Sequence, residues 1–288
     1  MNTKTITISD LVKDVGDLVT LPDVFFRINQ LIEDPDSTLD DITKAVSQDT
    51  SFAVRLLRIA NSPLYGFSST IDTVSRAIAL IGTSQIRNLA LSTSVLRTFA
   101  GLPNELVSMD NFWRHSLYCG LVARILTGRM RNSDPEAVFT AGLLHDIGKL
   151  VIFNRLPELS RESLSIVRDS GDGLPVYQAE RQTMGFDHAQ VGGELARQWH
   201  LPPLLQDCIT YHHDIRQAQY CPRETAIVHI ANILAKMVEV DTLDLADVPP
   251  IDPHAWEITG LDAERVIEST LHDLREEIDE AQQLFLVN

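Results

Sequence analysis

The sequence predicts an all-α protein, and three observations carry that expectation. Apolar residues recur at helical spacing through the first hundred residues, strand-type alternation is almost absent, and the apolar segments are bounded by helix caps and breakers. With 288 residues the chain has the length for a sizeable core, as one large domain or two small ones.

The elements follow in order. Leu21-Pro22 starts a helix in which Val24, Phe25, Ile28, Leu31 and Ile32 share one face, and Asp34-Pro35-Asp36 breaks it. Ser37 or Thr38 caps the next, through Ile42 and Val46. Asp49-Thr50-Ser51 opens a third, with a stripe of Phe52, Ala53, Leu56, Leu57 and Ala60. It stops at Asn61-Ser62-Pro63, because a residue before proline is pushed out of helical geometry. Thr73 to Ile81 and Ser84 to Phe99 make two more, separated by Gly82 as a C-cap. Phe112 to Leu126 is a helix carrying His115 on a mostly apolar face. Asp134-Pro135-Glu136 then starts another that runs to His145-Asp146, with an acid at the cap, proline at the first position and a second acid near the positive dipole end. Gly171-Asp172-Gly173 marks a loop, after which a helix from Val176 carries Glu180. Helices are expected from His188 to about His200, from Leu204 to His213, and from Thr225 to Val238 with His229 and Asn232. Near Asp241 the composition turns to acid and proline, read as a linker to an acidic C-terminal helix over 261–285.

A formal net charge of −16 argues against a nonspecific nucleic-acid binder, which needs a basic face to displace counterions. The densest basic cluster, Arg124, Arg129 and Arg131, reads as a solvated helix end. Cys119, Cys208 and Cys221 are too few and too scattered for a disulfide framework or a cysteine-rich zinc site. Met1 to Thr5 lack a signal-peptide apolar core and no 18-residue apolar run follows, so a soluble cytoplasmic protein is expected.

The chemistry concentrates in Gly142-Leu143-Leu144-His145-Asp146-Ile147-Gly148-Lys149. An imidazole beside a carboxylate in an apolar run is costly to desolvate unless both are compensated, as a divalent metal does. His115, His145-Asp146, His188, His212-His213 and Asn232 stand far apart in sequence, so any shared site is assembled by converging helices. Taken singly, each histidine reads as a satisfied core residue. Four helices each delivering histidine favour a common site, and His200 and His229 read as structural.

The pattern resembles the HD superfamily of metal-dependent phosphohydrolases and, more narrowly, the HDOD (HD-related output domain) family over about residues 18 to 237. The resemblance is carried by Leu21-Pro22, by Leu56 to Ser62, by Tyr65-Gly66, by Ala77-Ile78 with Ile81-Gly82, and by Gly185-Phe186-Asp187-His188 with Gly192. Trp199-His200-Leu201-Pro202 and His212-His213 complete it. It implies an HD-domain-like bundle at 106–237, preceded by an N-terminal helical part at 18–105. Residues 1–17 would be an extension, and 238–288 the acidic linker and helix. By position in the related HD-GYP phosphodiesterases, it implies His115, His145, Asp146, His188, His212 and His213 as ligands to Fe, Mn or Zn. Asp146 and Lys149 would be the catalytic pair, with Lys149 facing a substrate phosphate.

The chain departs from that pattern. Asn232 sits where the superfamily's final metal-binding Asp is expected, and a neutral amide is a weaker ligand for a hard cation. Asn111 replaces an acid used by some members, and Asp214 follows the His pair with no Gly-Tyr-Pro after it. Two readings follow. One is a bacterial signalling module that acts mainly by binding a protein partner, with its input supplied in trans or through the domain itself. The other is an active hydrolase of a nucleotide or other phosphate ester.

Overall fold

The computed structural model describes residues 7–16, 21–63, 65–100, 106–131, 133–170 and 173–286. Met1 to Thr5, Gly171-Asp172 and the boundaries proposed at 17/18 and 105 lie outside them. All regular elements among the described residues are helical, as the fold class requires. No described helix is long and apolar enough to cross a membrane. The chain divides into two compact units, one of residues 20–101 and 277–288, the other of 1–19 and 102–276.

The first of these holds α2 (Asp23–Glu33), α3 (Leu39–Gln48), α4 (Thr50–Ala60), α5 (Val74–Ile81) and α6 (Thr83–Ala100). Their apolar stripes meet in a core of Phe25, Ile28, Ile42, Val46, Phe52, Leu56, Ile59 and Ile78, all buried. The ends are set by local chemistry. Thr38 and Asp41 form a reciprocal capping box, and the Asp49 carboxylate accepts from the Phe52 N–H at 2.9 Å. Asn61 ends α4 and pins the following loop: its side chain donates to Leu57 O and Ile71 O and accepts from Ile71 N, at 2.7–2.8 Å.

The other unit holds α1 (Ile8–Gly16), α7 (Met109–Gly128), α8 (Pro135–Leu144), α9 (Ile147–Arg155), α10 (Pro157–Asp169), α11 (Val176–Met184), α12 (His188–Gln198), α13 (Pro203–Tyr211), α14 (Pro222–Glu239) and α15 (Pro253–Thr259). α16 (Ala263–Phe285) begins here and ends in the first unit. α7 lies against α8 and α14, and α12 lies between α9 and α13. Asp134 caps α8 from the side-chain oxygen to Glu136 N and Ala137 N, with Pro135 at the first turn. α1 packs on α9 and α12 and buries Leu11 and Val12.

Several elements differ from their sequence outlines. His145-Asp146 is a two-residue turn between α8 and α9, not the last turn of one helix. The run after Lys149, given no helix by its sequence, forms α9 and α10. α9 is apolar almost all round, so no stripe marks it, whereas α10 is largely polar and buries Ser160 and Ser163. α13 stops at Tyr211, leaving His212-His213 just past its end, and α15 forms inside the stretch read as linker.

Close backbone approach builds the frame around the turn. A Cβ on Gly148 would lie 1.9 Å from His188 O, so only glycine lets α9 reach the start of α12. A Cβ on Gly142 would lie 2.8 Å from Gly120 Cα, fixing α8 equally close to α7.

Candidate metal centre

The turn after α8 and the start of α12 are thus forced together, and the ends of α13 and the middle of α7 converge on the same point. Two groups of donors result: Asp146, His188, His212 and His213, and then His115, His145 and Asp146. Within each group the ligand atoms lie within 4.8 Å of one another. All six ligand positions named from the sequence come together. Asp146 belongs to both groups, one oxygen to each. Its Oδ1 lies 3.1 Å from His188 Nε2 and 3.8 Å from His212 Nε2. Its Oδ2 lies 2.6 Å from Lys149 Nζ, 3.4 Å from His145 Nε2 and 3.9 Å from His115 Nε2.

Three imidazoles are oriented from behind. His145 Nδ1 donates to Gly142 O at 2.7 Å, and His212 Nδ1 donates to Ile209 O at 3.0 Å. His188 Nδ1 donates to Glu180 Oε2 at 2.6 Å. In the neutral ring each bond puts the proton on Nδ1 and leaves the Nε2 lone pair facing inward, the arrangement that metal-binding histidines use. His145 Nε2, His212 Nε2 and Asp146 Oδ1 are buried with no hydrogen-bond partner in the structure. An unpaired buried polar atom costs about 1–3 kcal/mol. Asp146 Oδ1 and His212 Nε2 belong to the first donor group and His145 Nε2 to the second, so a divalent cation in each group would satisfy the three between them.

The charge state agrees. Burial holds His145 down at about 4 and pushes His212 and His213 well below the ordinary histidine value, so these rings are neutral and able to ligate. Burial alone would raise Asp146, but His145, Lys149 and His188 around it keep the carboxyl well below the usual carboxylate range. His188 is the exception. Against burial, the Glu180 carboxylate draws it up to about 9.

His213 is placed by a stack on Tyr177, with ring centroids 4.2 Å apart, and its Nε2 lies 2.9 Å from His188 Nε2. His115 is held differently: its Nε2 lies 3.0 Å from Asn232 Oδ1, and its Nδ1 3.2 Å from Glu239 Oε1. His229 spends both nitrogens on backbone, donating to His212 O and accepting from Asp252 N. His200 sits at the end of α12 with φ +51°, exposed and away from the cluster. Burial raises the Cys119 and Cys208 thiols, which stay protonated and join neither donor group.

Two carboxylates at the site went unassigned in sequence. Glu180 carries only its place on a polar-looking helix, and Glu239 lies past the expected end of the domain. Their signal was spacing: Glu180 falls one helical turn after Tyr177, and Glu239 falls seven residues after Asn232 on one helix.

Known proteins match this chain along most of its length. An uncharacterized protein of Treponema pallidum (strain Nichols) is 25% identical over 234 residues, 79% of this chain and 44% of that protein, so the chain spans less than half of this curated relative. Among solved structures, an HDOD domain protein of unknown function from Geobacter sulfurreducens aligns at 26% identity and a TM-score of 0.74, covering 96% of this chain and 98% of its own. A candidate phosphohydrolase from Shewanella amazonensis SB2B shares the fold at 23% identity and a TM-score of 0.70, covering 95% and 97%. So does a candidate signal transduction protein from Marinobacter aquaeolei VT8, at 20% identity and a TM-score of 0.72, covering 95% of this chain and 60% of that one. The HDOD domain model matches residues 18–215, more than half of the sequence, and the chain belongs to the HDOD domain family.

Proposed function

We propose that the chain is a bacterial signalling or regulatory protein that holds a divalent metal in a partly degenerate HD-type pocket and acts mainly by binding a protein partner in the cytoplasm. The HDOD domain on this reading spans 18–237, with 238–288 an acidic linker and helix. The observation that carries the reading is burial. His145, Asp146, His188 and His212 are each no more than 2% exposed, so the donors close on one another. Structural metal sites are closed in this way, whereas catalytic ones keep a position open to substrate. The candidate signal transduction protein that shares the fold agrees. Asn232 also faces His115 with a neutral oxygen where a charged ligand would strengthen the second donor group.

His115, His145, Asp146, His188, His212 and His213 would hold Fe, Mn or Zn. When bound, such an ion supplies Lewis-acid charge and lowers the pKa of a bound water. The second reading, a phosphohydrolase, is favoured by Lys149. Its side chain is 22% exposed beside the buried cluster, and its ammonium, 2.6 Å from Asp146 Oδ2, would meet a phosphate-containing small molecule while holding that carboxylate in place.

Elemental analysis of chain purified without an affinity metal column tests both, followed by a phosphoesterase screen of wild type and Asn232→Asp. Metal in wild type without turnover is the expected result. Turnover of a phosphate ester by wild type would overturn the binding reading in favour of the enzyme. A chain that holds no metal and takes up none would overturn both. Asn232→Asp is expected to raise metal affinity through the His115 group.

A further inference from the structure

Behind the cluster, α11 presents two side chains one turn apart to two of the ligand histidines. Tyr177 stacks on His213 with the ring planes 14° apart. Glu180, 1% exposed, accepts with one oxygen both from His188 Nδ1 at 2.6 Å and from the His188 backbone N–H at 2.9 Å. The second bond is as informative as the first. His188 is the first residue of α12, so its N–H is one of the donors a helix start leaves unpaired. The same carboxylate therefore fixes both the ring and the backbone that carries it.

Within its own donor group His188 alone has a carboxylate behind it, since His212 leans on a backbone carbonyl, as His145 does in the other group, where Glu239 Oε1 stands 3.2 Å from His115 Nδ1. A carboxylate accepting from Nδ1 makes the remote nitrogen a stronger donor than a carbonyl does, and it fixes the ring angle. The other Glu180 oxygen is buried with no partner in the structure, so the carboxylate is held there at a desolvation cost that packing alone would not demand.

Resting on the metal-holding reading above, we propose that Glu180 is a positioning residue for the donor group Asp146, His188, His212 and His213, and that it sets the metal affinity of this group over that of His115, His145 and Asp146. It touches no metal and no substrate. It acts through His188, keeping the proton on Nδ1 so that Nε2 remains a ligand.

The test is Co(II) binding to the full chain, read by competition titration and by the visible absorption of the bound ion. Wild type, Glu180→Gln and Glu180→Asp are compared, with the melting temperature of each metal-free chain. Glu180→Gln keeps the shape and an acceptor but loses the charge. It is expected to melt near wild type while binding Co(II) about 10- to 100-fold more weakly, with an altered spectrum. Glu180→Asp keeps the charge and is expected to recover part of the affinity. Equal Co(II) affinity and spectrum in Glu180→Gln and wild type would overturn the proposal while leaving the metal reading intact. A wild type that binds no Co(II) would instead sink the metal reading, and the proposal with it. Should neither variant fold, long-range 15N spectra of histidine-labelled wild type with Zn(II) decide the point. His188 must keep its Nδ1 proton and be metallated at Nε2, and metallation at Nδ1 or an unshifted ring would overturn the role.

Discussion

The unit of residues 20–101 and the unit containing α7 to α15 are built from the same element by different means. In the first, Phe52, Leu56 and Ile59 interlock with neighbouring stripes, and Thr38, Asp49 and Asn61 tie off the helix ends. Its order comes from hydrophobic burial and local caps. In the second, the interior also contains His145, Asp146, Glu180, His188 and His212, all buried, around backbones brought together at glycine. Charged and polar interiors are costly unless every group is partnered. The unit that holds the candidate site therefore keeps buried polar atoms without partners at its centre, a cost that a bound cation would offset.

Substitutions can sharpen this contrast. The largest effect is expected from Gly148→Ala, whose Cβ would fall 1.9 Å from His188 O. No side-chain rotation relieves a clash with backbone, so the loss exceeds the roughly 1–3 kcal/mol typical of overpacking. Circular dichroism should show the unit of the candidate site disrupted, and on the metal-holding reading metal content should fall with it. Phe52→Ala, in the core of the other unit, is expected to cost about 3–5 kcal/mol in denaturant titration. It should leave metal content per folded chain unchanged, and a loss of metal there would break the comparison.

Acid should act first on the unit that holds the histidine cluster. His145 is held at about 4 against an ordinary 6.5, so the unfolded chain takes up its proton first as pH falls. That contribution is complete above pH 6.5 and is lost between about 6.5 and 4, on the order of 3 kcal/mol. Trp113, Trp199 and Trp256 all lie in this unit, so tryptophan fluorescence of metal-free chain follows it during urea titration at pH 7 and pH 5. A midpoint unchanged between the two would contradict the buried neutral imidazole. The smallest effect is expected from Asp49→Ala, which removes one N-cap and the 3.2 Å pair with Arg97, for about 1 kcal/mol in melting.

The legibility of the two units in sequence divides along the same line. Thr38, Asp49 and Asp134 announced their helices because a cap acts within three residues of itself. The fold class was legible for that reason. The site was legible in residue type, since His-Asp in an apolar run has few inexpensive explanations, but the sequence does not encode which partner stands behind each ring. Glu180 lies in Ala179-Glu180-Arg181-Gln182, which reads like a solvated helix face, and only the fold turns it inward to His188. α9 was missed for the opposite reason, an excess of apolar residues without a stripe, α10 because its buried face includes serines, and α15 because acid and proline mask a short helix with its own Asp252 cap.

On the metal-holding reading, the two oxygens of Asp146, one toward each donor group, would make occupancy of the groups a linked equilibrium rather than two independent ones. Charge drawn by one side is charge withdrawn from the other, and the coupling is reciprocal in size. A titration of the chain would then rise in unequal steps whose separation measures the strength of that shared carboxylate. Losing His213 would touch mainly one step, while losing Asp146 would erase both.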